Sequence, residues 1–162
     1  MQTEIRLNDH GLIARWRQEP ERIEAALRTE FDLYGAIAER EVARHTPVGA
    51  TGMLASSITH EVRGTGLSLY TRVFSEDLPV KVSAVEWGRR PGRMPPWGPG
   101  SALELWVRRK LGSGLHVAFL IARAIGRRGT RGQRMFERGA RAARPLIEGR
   151  WRVFCLRIAG RL

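Results

Sequence analysis

Ile23, Leu27, Phe31, Tyr34, Ala38 and Val42 recur at intervals of four, four, three, four and four residues. That is one apolar stripe on an α-helix. Pro20 suits the first turn of such a helix. Glu19, Glu21 and Glu24 fall near its positive dipole end, and Arg40, Arg44 and His45 near its negative end. Thr46-Pro47 stops it, because the residue before a proline avoids helical backbone angles. The spacing predicts a helix over 20–45. The next stretch, TPVGATGMLASSI, reads as a breaker, a turn and one short helical turn around Met53 to Ser56. Ile58, His60 and Val62 then alternate, as do Leu67, Leu69, Thr71 and Val73, with Gly64-Thr65-Gly66 between them. This is a hairpin pattern over 57–74. At the start of the chain, Thr3, Ile5 and Leu7 predict a short strand, and Asn8 to Gly11 a turn.

Leu78, Val82 and Val85 fit a short helix that runs into Glu86-Trp87-Gly88. Residues 88–100, GRRPGRMPPWGPG, are too rich in Gly and Pro for regular structure. So long a loop is expected to be functional or ordered by a neighbouring subunit, with a linker between domains as the alternative. Ser101 and Glu104 form a capping-box pattern ahead of a helix over 101–111, with Gly112 as its stop. A second helix follows over about 115–127, then a basic turn, GRRGTRGQR. Phe136, Ala140, Ala143, Ile147, Trp151, Phe154 and Ile158 make a last helical stripe, starting near Gly132. Pro145 inside it is expected to kink or split that helix. The fold class expected is α+β. A long N-terminal helix packs on a small antiparallel sheet containing the hairpin, and the C-terminal half is helical. The 162 residues are expected to form one domain, with a Gly/Pro loop at 88–100 and a helical C-terminal extension.

Charge changes the picture. Residues 1–77 carry 9 basic and 12 acidic side chains, whereas residues 78–162 carry 19 and 4. A net +15 over the second stretch points to a charged partner, either nucleic acid or an acidic protein surface. The basic set is almost all arginine, the side chain suited to bidentate contacts with carboxylate and phosphate. Cys155 is the single cysteine. It excludes a disulfide scaffold or a cysteine metal cluster, and its place beside the last apolar stripe predicts a packed thiol. No apolar run reaches the roughly 20 residues of a membrane span. His10, His45, His60 and His116 lack metal-ligand spacing, and neither HExxH nor a phosphate-binding GxxxxGK[ST] loop occurs. Ser56, Ser57 and His60 read as turn and cap residues. Glu86, near Arg89 and Arg90, reads as a structural ion pair that orders the loop. No catalytic residues, metal or cofactor are expected, and the protein is not expected to be an enzyme.

Four stretches in order resemble the tail-completion family of long-tailed phages, head–tail neck or minor tail components. They are Thr46-Pro47-Val48 with Thr51-Gly52-Met53-Leu54 through Ser57-Ile58; Val85-Glu86-Trp87-Gly88 after the hairpin; Met94-Pro95-Pro96 before the Leu103 to Val107 segment containing Trp106; and Ala118 to Thr130 followed by Phe136 and the last helix. Two departures stand out. Gly49-Ala50 replaces an acidic residue common in that turn, and Ala55 replaces an arginine. An ion pair between them is therefore absent, and the turn must be held differently.

The resemblance implies a non-enzymatic virion protein that completes the tail and joins it to the head at the neck. It would be assembled in the host cytoplasm. Its implied partners are copies of itself in a ring, with a hexamer as one candidate, neighbouring neck and tail proteins, and genomic DNA passing through the lumen, with no membrane. The competing reading is a basic nucleic-acid-binding protein. Its candidate contacts are Arg89, Arg90 and Arg93 in the loop and Arg127, Arg128, Arg131 and Arg134 in the basic turn. On the neck reading these arginines sit at protein interfaces instead, facing carboxylates such as those of a neighbour's acidic 19–41 helix.

Overall fold

A computed structural model describes residues 4–5 and 16–160. Most of the predicted strand at Gln2 to Leu7, the turn at Asn8 to Gly11 and His10 lie outside the described residues. The fold is α+β. In chain order it comprises α1 (Pro20–His45), α2 (Met53–Ser56), β1 (Ile58–Arg63), β2 (Tyr70–Ser75), α3 (Pro79–Trp87), β3 (Gly88–Arg89), α4 (Ala102–Leu111), α5 (Leu115–Arg128), β4 (Thr130–Arg131) and α6 (Met135–Ile158). The strands pair as two antiparallel ribbons, β1 with β2 and β3 with β4. The chain divides into two compact units, each assembled from separated segments. The first comprises Met1–His45, Ile58–Glu76 and Phe136–Leu162, and the second Thr46–Ser57 and Asp77–Met135.

In the first unit, α1 buries the predicted stripe. Ile23, Leu27 and Tyr34 join Leu69 of the hairpin and Ala143, Ile147, Trp151, Phe154 and Cys155 of α6 in one core, with Phe31, Ala38, Val62 and Ile158 partly buried around it. Cys155 is fully buried there, a packed thiol as expected. Helices α1 and α6 meet closely at Gly139, where a Cβ would lie 2.6 Å from Val42 Cα. The hairpin runs in the register Ile58↔Ser75 to Arg63↔Tyr70. Its second strand starts later than the alternation suggested. Residues 66–68 form a 3₁₀ turn instead, capped by reciprocal Thr65 and Ser68 hydrogen bonds, so Leu67 and Leu69 precede the strand. Pro145 does not split α6, which runs unbroken from Met135 to Ile158, three residues after the expected start.

Two polar clamps tie this unit together. Glu30, buried on the stripe of α1, accepts hydrogen bonds from Arg150 Nε at 2.8 Å, Arg150 Nη2 at 3.0 Å and Arg157 Nη2 at 3.2 Å on α6. Burial and the Glu30 charge together raise the pKa of the neighbouring Tyr34 phenol. On the hairpin side, His60 Nδ1 lies 2.6 Å from Glu39 and Nε2 3.3 Å from Asp32. The ring fits against α1 because residue 35 is glycine, where a Cβ would come within 2.1 Å of His60 Cδ2. Partial burial opposes the charged ring, but the two carboxylates outweigh it and raise the His60 pKa above its ordinary value.

The second unit is smaller-grained. Leu54, Val107, Ala118, Ala122 and Met135 are its buried apolar residues, and helices α4 and α5 pack together. Thr46, also buried, directs its hydroxyl to Met135 Sδ at 3.4 Å. Ser101 caps α4 by accepting from the Glu104 amide at 3.2 Å, but the reciprocal half of the capping box does not form, because the buried Glu104 carboxylate pairs with Arg108 four residues on. Residues 88–100 belong wholly to this unit, so they are no linker between the two. Gly88 and Arg89 form a strand, against the expectation that the whole stretch is irregular.

Candidate functional site

The structure brings the two basic segments of the sequence together. Pairing of β3 with β4 sets Gly88 opposite Arg131 and Arg89 opposite Thr130. Arg89 N also donates to Thr130 Oγ1 at 3.1 Å, and Gly92 N to Gly126 O at 2.8 Å. Arg89, Arg90 and Arg93 are thereby joined to Arg127 and Arg128 at the end of α5, Arg131 on β4 and Arg134 just before α6.

Glycine makes this junction possible. Gly88 has φ +84, and a Cβ there would lie 2.3 Å from Thr130 O. Gly129 has φ +71, and a Cβ there would meet the Arg89 carbonyl at 2.0 Å. Both backbones approach too closely, in conformations too strained, for any other residue. The loop after β3 is held within the same unit. The Arg89 guanidinium donates to the Arg93 carbonyl. Trp97 meets Phe119 edge-on at 5.0 Å between centroids. These ties lie within the loop's own unit.

The electrostatics of the two units differ. In the first, Arg22, Arg28, Arg40, Arg44, Arg63, Arg72, Arg141, Arg144, Arg150 and Arg157 each lie within salt-bridge distance of a carboxylate. At the β3–β4 junction, Arg90, Arg93, Arg127, Arg128 and Arg131 are exposed, and no ion pair to them occurs among the described residues. The Arg134 guanidinium lies over the exposed Trp87 ring at 4.7 Å. The second unit carries twelve basic and three acidic side chains, a net +9 against +3 for the first.

The other candidate positions are structural in setting. Glu86 is buried, its carbonyl accepts from the Arg134 amide at 3.1 Å, and the Arg89 side chain donates to the Arg93 carbonyl. Gly52, at φ +73, turns the chain into α2, whose Leu54 is buried and whose Leu54 carbonyl accepts from Ser57 Oγ at 2.8 Å. Thr51 Oγ1 accepts from the Met53 amide at 3.4 Å, while Pro47 and Val48 are exposed. The turn that lacks its acidic residue is held by Arg109, which donates to the Ala50 carbonyl. Pro95 and Trp106 are half-buried. His45 Nδ1 sits 2.8 Å from the Glu41 carbonyl, and His116 is exposed. Among the described residues no group of three or more His, Cys, Asp or Glu is placed to hold a metal ion, and no helix is long and apolar enough to cross a membrane.

The burial of Glu30 was not foreseen from the residues. Glu30 falls three residues after Leu27 and four before Tyr34, so its position on the stripe was the available sign. The β3–β4 pairing had none, since two-residue strands carry no periodicity. No protein-family model, curated protein or solved structure matches the chain.

Proposed function

We propose that this chain is a structural, non-enzymatic component of a phage virion that completes the tail and joins it to the head at the neck as a ring of copies. The observation that supports this reading is where most of the resembling residues lie, Ile58 and the last helix from Phe136 onward being in the first unit. Thr46, Pro47, Val48, Thr51, Gly52, Leu54, Ser57, Glu86, Gly88, Pro95 and Trp106 come from segments up to sixty residues apart, yet all belong to the second compact unit. Several of them build it, through a buried threonine, a left-handed glycine turn and a glycine at a close strand approach. A set of motifs that together specify one small scaffold is a stronger likeness than the same motifs scattered. Large apolar side chains of this unit stand in solvent, including Val48 at 62%, Met53 at 59%, Leu78 at 70% and Val80 at 83% exposure. Such surface suits burial between subunits.

Mass measurement of the purified chain, alone and mixed with neck and tail components, tests the reading. A closed oligomer, formed alone or on a partner, is the expected result. A monomer at every concentration that binds none of those components refutes it.

A further inference from the structure

We propose that the arginine cluster at the β3–β4 junction binds the phosphate backbone of nucleic acid. The inference goes beyond the neck reading, and the site it names lies wholly in the second unit. It begins from presentation. Arg89 and Arg131 lie on paired strands, Arg127 and Arg128 on the last turn of a helix, and the Arg134 guanidinium over the Trp87 ring. Cationic groups carried on a folded ribbon and a helix end need less ordering on binding than the same groups on a free loop.

The second step is charge accounting. Ten arginines of the first unit lie within salt-bridge distance of carboxylates, with Arg17, Arg138 and Arg152 scattered exceptions, whereas Arg90, Arg93, Arg127, Arg128 and Arg131, all at one junction, have no ion pair among the described residues. Concentrated positive charge of this kind suits a partner that brings its own excess of negative charge.

The third step removes the partner expected from sequence, the acidic helix of a second copy. Most carboxylates of α1 and its approach, Glu21 excepted, are already engaged. Glu19 pairs with Arg22, Glu24 with Arg28, Glu30 with Arg150 and Arg157, Asp32 and Glu39 with His60, and Glu41 with Arg40 and Arg44. A second copy would also bring a net charge of +12. Recruiting those acids means breaking pairs to make pairs, with like-charge repulsion added.

A nucleic-acid duplex carries about one negative charge per 1.7 Å of axis and releases counterions when a cation neutralises a phosphate. The planar guanidinium fork fits phosphate oxygens in bidentate fashion. Contacts of this kind fix position but read no bases, so binding is independent of sequence.

The test is a fluorescence-anisotropy titration of the full chain with a labelled duplex oligonucleotide of arbitrary sequence, repeated from about 50 to 200 mM salt. The affinity should fall linearly on log–log axes. In the Arg127→Ala/Arg128→Ala/Arg131→Ala chain the slope should shrink by about 0.9 for each arginine that touches phosphate, up to about 2.7 in all. Arg90→Gln/Arg93→Gln, altering the other segment, should weaken binding independently. A charge-matched control, Arg22→Ala/Arg40→Ala/Arg141→Ala, should keep the parent slope.

Equal losses in control and cluster variants, or a parent affinity indifferent to salt, overturns the proposal. So does polyglutamate of matched charge binding as tightly as the duplex, which would assign the cluster to an acidic protein. Masses of the same variants keep the two readings apart. DNA binding without any ring refutes the neck reading alone, and a ring without DNA binding refutes this one alone.

Discussion

Replacing Glu30 by Gln removes the charge at the centre of the α1–α6 clamp while nearly preserving its shape. The carboxylate is 6% exposed and receives three hydrogen bonds from two guanidiniums. Charge-assisted hydrogen bonds contribute about 1.5–3 kcal/mol, and removing one member of a buried pair costs about 3–5 kcal/mol. Those figures hold when the orphaned partner stays dry. Here Arg150 and Arg157 are 43% and 61% exposed. Water can therefore re-solvate both, and the amide oxygen retains one acceptor. We expect a net loss of about 2 kcal/mol, which in a chain of this size lowers the midpoint of thermal unfolding by about 4–8 °C. Trp151, stacked on Phe154 at 5.7 Å in the same core, provides the fluorescence reporter. A double-mutant cycle with Arg150→Ala should return a coupling of about 1–2 kcal/mol. A loss below about 0.5 kcal/mol for Glu30→Gln, with no coupling, would mean that α1 and α6 are held by apolar packing alone.

Leu27→Ala should cost about 2–5 kcal/mol in chemical denaturation, as truncation of a filled core does, and a cost under about 1 would remove it from the core. His60 has a raised folded pKa, so the stability it lends is full below its ordinary value of 6.5 and is lost as the pH climbs through the raised value. Unfolding midpoints should therefore decline over that window in the parent chain and not in His60→Gln, and Gly35→Ala, which drives a Cβ into the ring, should remove the same pH dependence. Gly88→Ala should break the β3–β4 pairing, seen as faster amide exchange at Arg89 and Arg131, while the β1–β2 amides keep their protection. Trypsin should cut the folded chain after Arg93 well before Arg89, whose amide is tied to Thr130; equal rates would mean the ribbon is open.

Long elements were legible because each repeats one physical requirement many times. The α1 stripe presents six apolar positions on one face, and both ends of that helix carry breakers and matching charge, so its limits at Pro20 and His45 follow from residues alone. The hairpin was legible to the extent that alternation persisted. It failed at Leu67 and Leu69, where the pattern ran on into a 3₁₀ turn held by Thr65 and Ser68. Pro145 shows the opposite error. A local rule predicted a break, and the apolar stripe from Ala143 to Phe154, buried in one core, keeps the helix continuous. The arginine cluster was legible only as two separate runs. Their convergence depends on four paired residues and two strained glycines, a tertiary event with no local signature. The ion pairs that occupy the acidic helix are likewise long-range, Glu30 to Arg150 above all, and the charge totals of the sequence gave no hint of them.

The interleaving of the two units bears on how the chain is made. The first unit begins with α1 and is finished by α6, and the whole second unit is encoded between β2 and α6 apart from its 46–57 segment. Helix α1 ends at residue 45 and α6 begins at residue 135. At about 5–20 residues per second the ribosome takes roughly 5–18 s to cross that gap. Through that interval the apolar stripe of α1 has the hairpin on one side and no α6 on the other, and Glu30 has neither arginine. The second unit, complete with Met135, is free to fold first. A chain truncated just after Met135 and released from the ribosome should therefore carry an ordered second unit and a first unit still sticky to chaperones, so the last helix acts as the release step of synthesis as well as a wall of the core.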